Sequence, residues 1–303
     1  MKKQALLKRS HIKASPAVIV FRIFNAMILG GTALICILLF LHIIALSLSN
    51  NDAIVSNEVG LFPVGTTLSA YKTLLKNTMF WTAFMRSVWR VLLGLVINLS
   101  LVIMCAYPLS KFTDKFASRN FYMWFFFITA LFSGGVIPLY VVVSDLGLLN
   151  SLWSLVLPTG VSVFNIILLL NFIRQLPREM LEAADIDGAN EFVKMVCIVV
   201  PCSLPSIATI TLFTIVGHWN SWFDGMLFST SIDKYPLQSY LQTIVIQQNF
   251  SSAGITDPDA IAELSNTTMK TAQIIVAMIP VLIVYPFFQK FFMSGIVLGS
   301  VKG

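Results

Sequence analysis

Long apolar runs alternate along the chain with short polar interruptions, and six of the runs reach the length of about 20 residues that a helix needs to cross a bilayer. They cover roughly 18–48, 81–107, 121–144, 151–173, 201–228 and 271–292. None alternates apolar and polar at every second position, so the strands of a membrane barrel are excluded. Helices remain, because in lipid only helices and closed barrels satisfy their own backbone polar groups. The expected fold class is all-α, a polytopic membrane protein with six transmembrane helices. A tail over 1–17 precedes a single transmembrane domain over 18–303, and one loop, 174–200, is dense in charge.

The composition agrees: 57% of the 303 residues are hydrophobic and 11% charged, against about 25% charged in an ordinary soluble domain. The net charge of +6 has a topological explanation. Lys2, Lys3, Lys8, Arg9, Lys13, Lys111, Lys115, Arg119, Arg174, Arg178, Lys194, Lys290 and Lys302 fall on one side of the six spans. Only Lys72, Lys76, Lys234 and Lys270 fall on the other, so both termini and the 174–200 loop are placed in the cytoplasm. No basic stripe interleaved with aromatics points to nucleic acid. The basic start MKKQALLKRSHIK precedes an apolar stretch too long for a signal peptide, and that first span is read as a retained anchor.

Cys36, Cys105, Cys197 and Cys202 form no CxxC pair, and His11, His42 and His218 are scattered, so no metal site is expected. Neither a paired-acid, HExxH nor nucleophile constellation lies inside the spans, and the chain is not read as an enzyme. There is no GxxxxGK[ST] nucleotide loop. The chain is therefore expected to bind no cofactor of its own.

The charged loop carries five acids against three bases between Arg174 and Lys194. Pro177 suits the first turn of a helix, which the spacing predicts over Arg178 to Asp187, with Glu179, Glu182 and Asp185 on one stripe and Leu181 and Ala184 on another. Gly188 breaks it. A second helix from about Asn190 is expected to bury Phe192, Met195, Val196 and Val199 and to end at Pro201. Helices that lie on lipid usually carry Lys and Arg, so this acidic hairpin reads as an element for docking another protein, with small Ala183 and Ala184 permitting close approach.

The sequence EAADIDGAN, followed at a distance by VVP, resembles the EAA loop of bacterial ABC importer permeases, through Glu182, Ala183, Ala184, Asp187, Gly188, Ala189 and Pro201. That resemblance implies the type I importer permease fold, in which this coupling helix seats in a cleft of an ATPase subunit and transmits its closure to the spans. FSGGVIPLYVVVSDLGLLNSLWSLVLP, GHWNSWFDG and the ending GIVLGSVKG resemble the carbohydrate-uptake branch of the maltose permease type, in particular its subgroup for complex or oligomeric saccharides. It implies a permease subunit in a bacterial cytoplasmic membrane. The implied partners are a second, related permease chain, two ATPase subunits that hold ATP and Mg, an extracytoplasmic solute-binding protein and a sugar or oligosaccharide. By the same resemblance Ser300, Val301, Lys302 and Gly303, otherwise a mobile tail, reach toward the ATPase subunits.

Several residues inside the spans are candidates for a substrate pathway. Gly134 and Gly135 permit either a bend that frees carbonyls or a plain kink. Asn165 needs a partner, either a neighbouring helix or a sugar hydroxyl. Trp219 and Trp222 offer faces for pyranose rings and Asn220 and Asp224 offer polar edges, although an interfacial aromatic belt also explains tryptophans there. Counting inward from Trp81 at about 1.5 Å per residue places Arg86 roughly 8 Å deep and Arg90 roughly 14 Å. Arg86 is expected to reach outward, whereas Arg90 must face protein or water, with Asp224 as a partner. Two other readings, a self-sufficient secondary transporter or channel and an ABC permease for a non-sugar solute, differ in needing no ATPase and no sugar site respectively.

Overall fold

The structure, a computed structural model, describes residues 16–112, 116–251 and 267–300. Among them every regular element is helical: α1 Pro16–Leu48, α2 Asn51–Val55, α3 Ser69–Lys76, α4 Thr78–Ser110, α5 Arg119–Leu131, α6 Val136–Asp145, α7 Leu152–Val156 and α8 Val163–Ile173. They are followed by α9 Arg178–Ile186, α10 Glu191–Val193, α11 Val200–Cys202, α12 Leu204–Asn220, α13 Phe223–Phe228, α14 Leu237–Ser251 and α15 Thr267–Ser300. The helices divide into two compact units. One holds the residues through Ala70 with Ser265–Ala272, the other Tyr71–Leu264 with Gln273–Gly303.

In the first unit, α1 is apolar and exposed on every side from Pro16 to Ile37, as befits a helix whose solvent is hydrocarbon. Its C-terminal end is tied down by polar groups. Ser49 Oγ donates to Ala45 O at 2.6 Å and accepts from Val64 N at 3.1 Å, and a His42 ring nitrogen lies 2.7 Å from Gly60 O.

The second unit is organised on α4. Asn77 caps its start, accepting from Phe80 N at 3.0 Å. One stripe at three- and four-residue spacing is buried: Phe80, Ala83, Ser87, Arg90, Gly94, Asn98, Val102 and Ala106. Its middle is polar and its ends apolar, the reverse of a lipid-facing stripe, so it must point into protein. Helices α8 and α12 pack along it. Toward its C-terminal end Val102, Ala106, Tyr107 and Leu109 meet Ile166, Leu169, Leu170 and Ile173 of α8, with Val199 and Ile210. The last carbonyls of α4 are covered by cations, the preferred sign at a helix C-terminus. Arg119 Nε donates to Leu109 O at 3.0 Å, and Arg174 reaches Ser110 O and Leu109 O at 3.4 Å each.

Three helices, Pro16–Leu48, Thr78–Ser110 and Thr267–Gln289, are long and apolar enough to span a membrane unbroken; the expected spans 121–144 and 151–173 are bent pairs, and a third bent pair, Glu191–Cys202 with Leu204–Asn220, starts ten residues before the expected span 201–228 and ends eight before its end. Span 121–144 is α5 and α6, turned by 111° at Phe132–Gly135, where Gly135 has φ +87°. A 13-residue helix such as α5 is only about 20 Å long, so neither half crosses the roughly 30 Å hydrocarbon alone. Span 151–173 bends by 48° between Thr159 and Val163.

The largest departure from the sequence reading lies before α12. The helix from Glu191 runs through Cys202, one residue past Pro201, and the chain turns by 82° at Ser203 before Leu204. Of the expected buried stripe, Val199 is buried and Met195 packs against the core, but Phe192 and Val196 are exposed and Lys194 is buried instead. The cause is a π-helical stretch over Lys194–Val199, whose wider turn puts residues five apart on one face where the 3.6-residue repeat would not. Helix α14, in what reads from sequence as an outer connection, packs on α4 through buried Leu237, Tyr240 and Leu241. Their i, i+3, i+4 spacing was the available signal. Helix α15 runs through Ser300, where a mobile tail was expected.

Gly225 is where α13 meets the start of α14: a Cβ there would lie 2.1 Å from Ser239 Oγ and 2.7 Å from Pro236, whereas at Gly217 nothing lies within 4 Å. Gly225→Ala should therefore destabilise the detergent-solubilised protein by about 1–3 kcal/mol, and Gly217→Ala should leave its thermal midpoint unchanged or raised. Equal midpoints for the two variants would contradict this packing.

Candidate functional site

Arg90 is almost completely buried, with its side chain 1% exposed. It points into protein, as its depth demands. Its Nη1 donates to Asp224 Oδ1 and to Ser221 O at 3.1 Å each, and its Nη2 binds Asp224 Oδ2, a two-pronged ion pair from α4 to α13. Asp224 is itself held, accepting from Ser221 Oγ at 2.8 Å and Gly225 N at 2.9 Å. A fork on a carboxylate is the geometry that offsets the cost of taking both charges out of water. Arg86 ends on the carbonyl of Lys234.

Two turns further along α4, Asn98 ties three helices together. Its Oδ1 accepts from Asn165 Nδ2 of α8 at 3.2 Å and from Thr214 Oγ1 of α12 at 3.0 Å. Its Nδ2 donates to Gly160 O at 3.2 Å. The Asn165 amide is thus met by a neighbouring helix. Between Arg90 and Asn98, Gly94 leaves room for the His218 ring, whose atoms would lie 2.3–2.7 Å from any Cβ there.

These residues wall a cavity of about 450 Å³, open on one side. Polar residues Arg90, Asn98, Asn165, Thr214 and His218 line it, most of them bonded to one another or to Asp224, so the surface it exposes is mainly apolar, and Thr159, Ser162 and the exposed Phe164 and Phe213 line it as well. The two exposed phenyl rings lie 6.2 Å apart. Flat apolar faces beside convergent donors and acceptors suit a polyhydroxylated ligand. Sequence reasoning found Arg90 and Asn165 but missed Asn98, His218 and the aromatic pair. The signal for Asn98 was its phase, eight residues from Arg90 on the same face of an apolar helix.

The other candidates fall elsewhere. Trp219 is 4% exposed, donates its indole N–H to Ala277 O at 3.1 Å and packs edge-on against Phe84. It fills the interior and presents no stacking face, contrary to expectation. Trp222 and Asn220 are exposed outside the cavity wall, and Gly134 and Gly135 lie in the exposed break between α5 and α6.

In the 174–200 loop, α9 forms over the expected residues. It ends in a glycine-dependent turn: Gly188 at φ +74°, Gly188 N bonded to Asp185 O at 3.2 Å, and Ala189 N to Ala184 O at 2.9 Å. Gly188 and Ala189 thus shape the end of the helix. Ala184 is buried at 7% exposure and faces its own chain, so it cannot receive a partner as expected. Glu182, Ala183 and Asp187 are exposed, and between them Ile186, at the spacing of the Glu179 and Glu182 stripe, is 87% exposed. Asp185 is engaged inside the chain by buried Lys194. Ser300 is described only as backbone of α15, and Val301, Lys302 and Gly303 lie outside the described residues.

Glu191 is the centre of a second polar cluster. It accepts from Tyr107 Oη at 2.6 Å, from Lys194 Nζ at 2.7 Å and from Lys111. Burial pushes its carboxyl up, but bonds from Lys111, Lys194 and Tyr107 outweigh that and hold it down at about 2, against an ordinary 4.5. Lys194 is raised above its ordinary value, first by its bond to Asp185 and then by that to Glu191.

The family described as binding-protein-dependent transport system inner membrane component matches residues 91–297. The polygalacturonan/rhamnogalacturonan transport system permease protein YtcP of Bacillus subtilis (strain 168) is 39% identical over 285 residues, covering 93% of this chain and 99% of its own. Protein LplC of the same organism is 39% identical over 285 residues, 94% of this chain and 95% of its own. Among solved structures, a chain of a bacterial ABC transporter involved in the import of the acidic polysaccharide alginate superposes with a TM-score of 0.82 at 31% identity, over 92% of this chain and 99% of that one.

Removing one half of the buried ion pair should be costly: Asp224→Asn is expected to lower stability by about 3 kcal/mol, because Arg90 stays buried and charged, whereas Arg90→Met with Asp224→Leu should recover most of the loss. Thermal unfolding of both variants in detergent checks this, and a single variant as stable as wild type would contradict it. Because Glu191 has a depressed carboxyl value, its contribution to stability is complete above pH 4.5 and is lost as pH falls from there toward 2. Glu191→Gln should thus be less stable than wild type at pH 6 and show a flatter decline below pH 4.5 in acid titrations of the unfolding midpoint.

Proposed function

Since the chain belongs to the family of binding-protein-dependent transport system inner membrane components, we propose that its polar cavity is a stretch of the path by which a saccharide enters the cell, worked through α9 by separate ATPase subunits. The protein is a permease subunit of an ABC importer of sugars, and not an enzyme. The observation that carries the proposal is the cavity itself: one charged side chain, already neutralised by Asp224, seven other polar residues and two exposed phenyl rings. Sugar hydroxyls bind by hydrogen bonds and C–H faces of pyranose rings bind aromatics, and this wall holds groups of both kinds. The relatives named for polygalacturonan, rhamnogalacturonan and alginate suggest an oligomer of acidic sugars.

In this reading both termini and α9 face the cytoplasm of a bacterial cell. Six spans make half of an alternating-access pathway, so a second, related permease chain completes it. Two ATPase subunits supply ATP and Mg, and an extracytoplasmic binding protein delivers the saccharide. Glu182, Ala183 and Asp187, with Ile186 at the apex, form the face that the ATPase grips, while Ala184, Gly188 and Ala189 hold that face in shape. The chain beyond Ser300 extends toward the same subunits.

Uptake into proteoliposomes holding the assembled importer tests this, with galacturonate oligomers, alginate oligomers and maltodextrin compared. An acidic oligomer should enter only with ATP and binding protein, and Glu182→Ala with Ile186→Asp should weaken ATPase association about tenfold, equivalent to about 1.4 kcal/mol. Uptake without ATPase subunits, or association unaltered by these substitutions, would overturn the reading.

A further inference from the structure

Lys194 is a basic residue buried in the chain, its side chain only 8% exposed, and nothing in transport as described above uses it. A lysine is rarely taken out of water unless its charge is fully matched. Here it bonds two carboxylates on different elements, Asp185 of α9 and Glu191 of α10. Glu191 in turn accepts from Tyr107 in the last turns of α4 and from Lys111 just beyond it. A chain of ionic and hydrogen-bonded contacts thus runs Asp185, Lys194, Glu191, Tyr107, from the C-terminal end of α9 to α4. The N-terminal end of α9 has its own tie, the Arg178 guanidinium 4.2 Å from the centre of the Phe112 ring.

These two ties settle where a push on α9 would go. Along the backbone, α9 leads through α10 and the π stretch into an 82° turn at Ser203 before α12 begins, and a bend of that kind absorbs displacement. Across the side chains it leads into the 33-residue helix α4 through Tyr107, one residue before Pro108, so the stretch from there back to Asn98 and Arg90 in the cavity wall holds no proline. We infer that Lys194 is a positioning residue that locks α9 to the end of α4, so that movement imposed on α9 reaches the cavity as a rigid displacement of α4 and bypasses the turn at Ser203. This rests on the reading of α9 as the element the ATPase grips. It adds the route inside the permease and the residue on which that route depends. The widened π turn fits the role: by placing Lys194 and Val199 on one face, it seats Val199 in the apolar core while turning the ammonium toward Asp185.

The test uses the fully assembled importer, its four native cysteines replaced by serine, with nitroxide labels at Met180 of α9, outside the face named for the ATPase, and at exposed Ser100 of α4. Their separation is measured with and without trapped ATP, alongside galacturonate oligomer delivered per ATP hydrolysed. In wild type the distance should be single and unaltered by ATP. Lys194→Met should retain ATPase subunits and hydrolysis, but its distance should broaden or shift on ATP trapping and delivery per ATP should fall at least about fivefold, the lower range of coupling between sites. Lys194→Arg should restore both. A Lys194→Met importer with wild-type distance and delivery would overturn the inference, and so would one whose sole defect is loss of ATPase binding, since the lysine would then only shape the docking face. If Lys194→Met does not assemble, Tyr107→Phe decides, because it removes one hydrogen bond at the α4 end: an unchanged distance there refutes the route. The label distances do not depend on the saccharide, so failure of wild type to deliver sugar would count against the proposed substrate and not against the lock.

Discussion

The ion pair between Arg90 and Asp224 is the contact on which the rest of this structure depends. An arginine at that depth in a bilayer costs about 2.5–3.5 kcal/mol on insertion scales, and the cost is tolerable only if its stripe of α4 faces protein. Once Arg90 is turned inward, the same helix phase turns Ser87, Gly94 and Asn98 inward with it. Helices α8 and α12 must then approach on that side, because Asn98 finds its partners on them. Asp224 brings α13 to the same face, and Gly225 beside it lets the start of α14 close over the top.

The polar cavity follows from the same constraint. Side chains that bond to one another across a helix interface cannot pack as densely as Leu and Val, and the space they leave opens beneath Phe164 and Phe213. The apolar half of α4, from Val102 to Leu109, packs on α8 through Ile166, Leu169, Leu170 and Ile173. One helix is thus polar in its middle and apolar toward its end. That end is the part that the Glu191 and Lys194 cluster holds.

What the sequence disclosed were the features whose physics is local. The end of α9 was legible because Gly188 follows a helical run and takes φ +74°. The inward turn of Arg90 was legible from the cost of a charge in lipid alone, while its pairing with Asp224 was one possibility that only the structure decides. Features set by tertiary packing were hidden. Trp219 carries the signature of an interfacial or ligand-stacking residue, yet its indole N–H finds Ala277 O and its ring is interior. The π stretch at Lys194–Val199 shifts the face of α10 without leaving a mark in composition. Gly135, the Thr159–Val163 connection and Ser203 break helices that hydropathy alone reads as continuous. His218 reads as one scattered histidine until Gly94, 124 positions earlier in the chain, is seen to make room for it.

The central claim is that this cavity opens and closes to the outer medium as ATP acts on α9. The most direct measurement replaces Cys36, Cys105, Cys197 and Cys202 with serine, introduces Phe213→Cys in the cavity lining, and follows labelling of the assembled importer by a membrane-impermeant thiol reagent added outside. The account predicts labelling at least about tenfold faster when ATP is trapped on the ATPase subunits, as a shift in population between two states requires, and slower again when galacturonate oligomer is present. A labelling rate indifferent to ATP would contradict it.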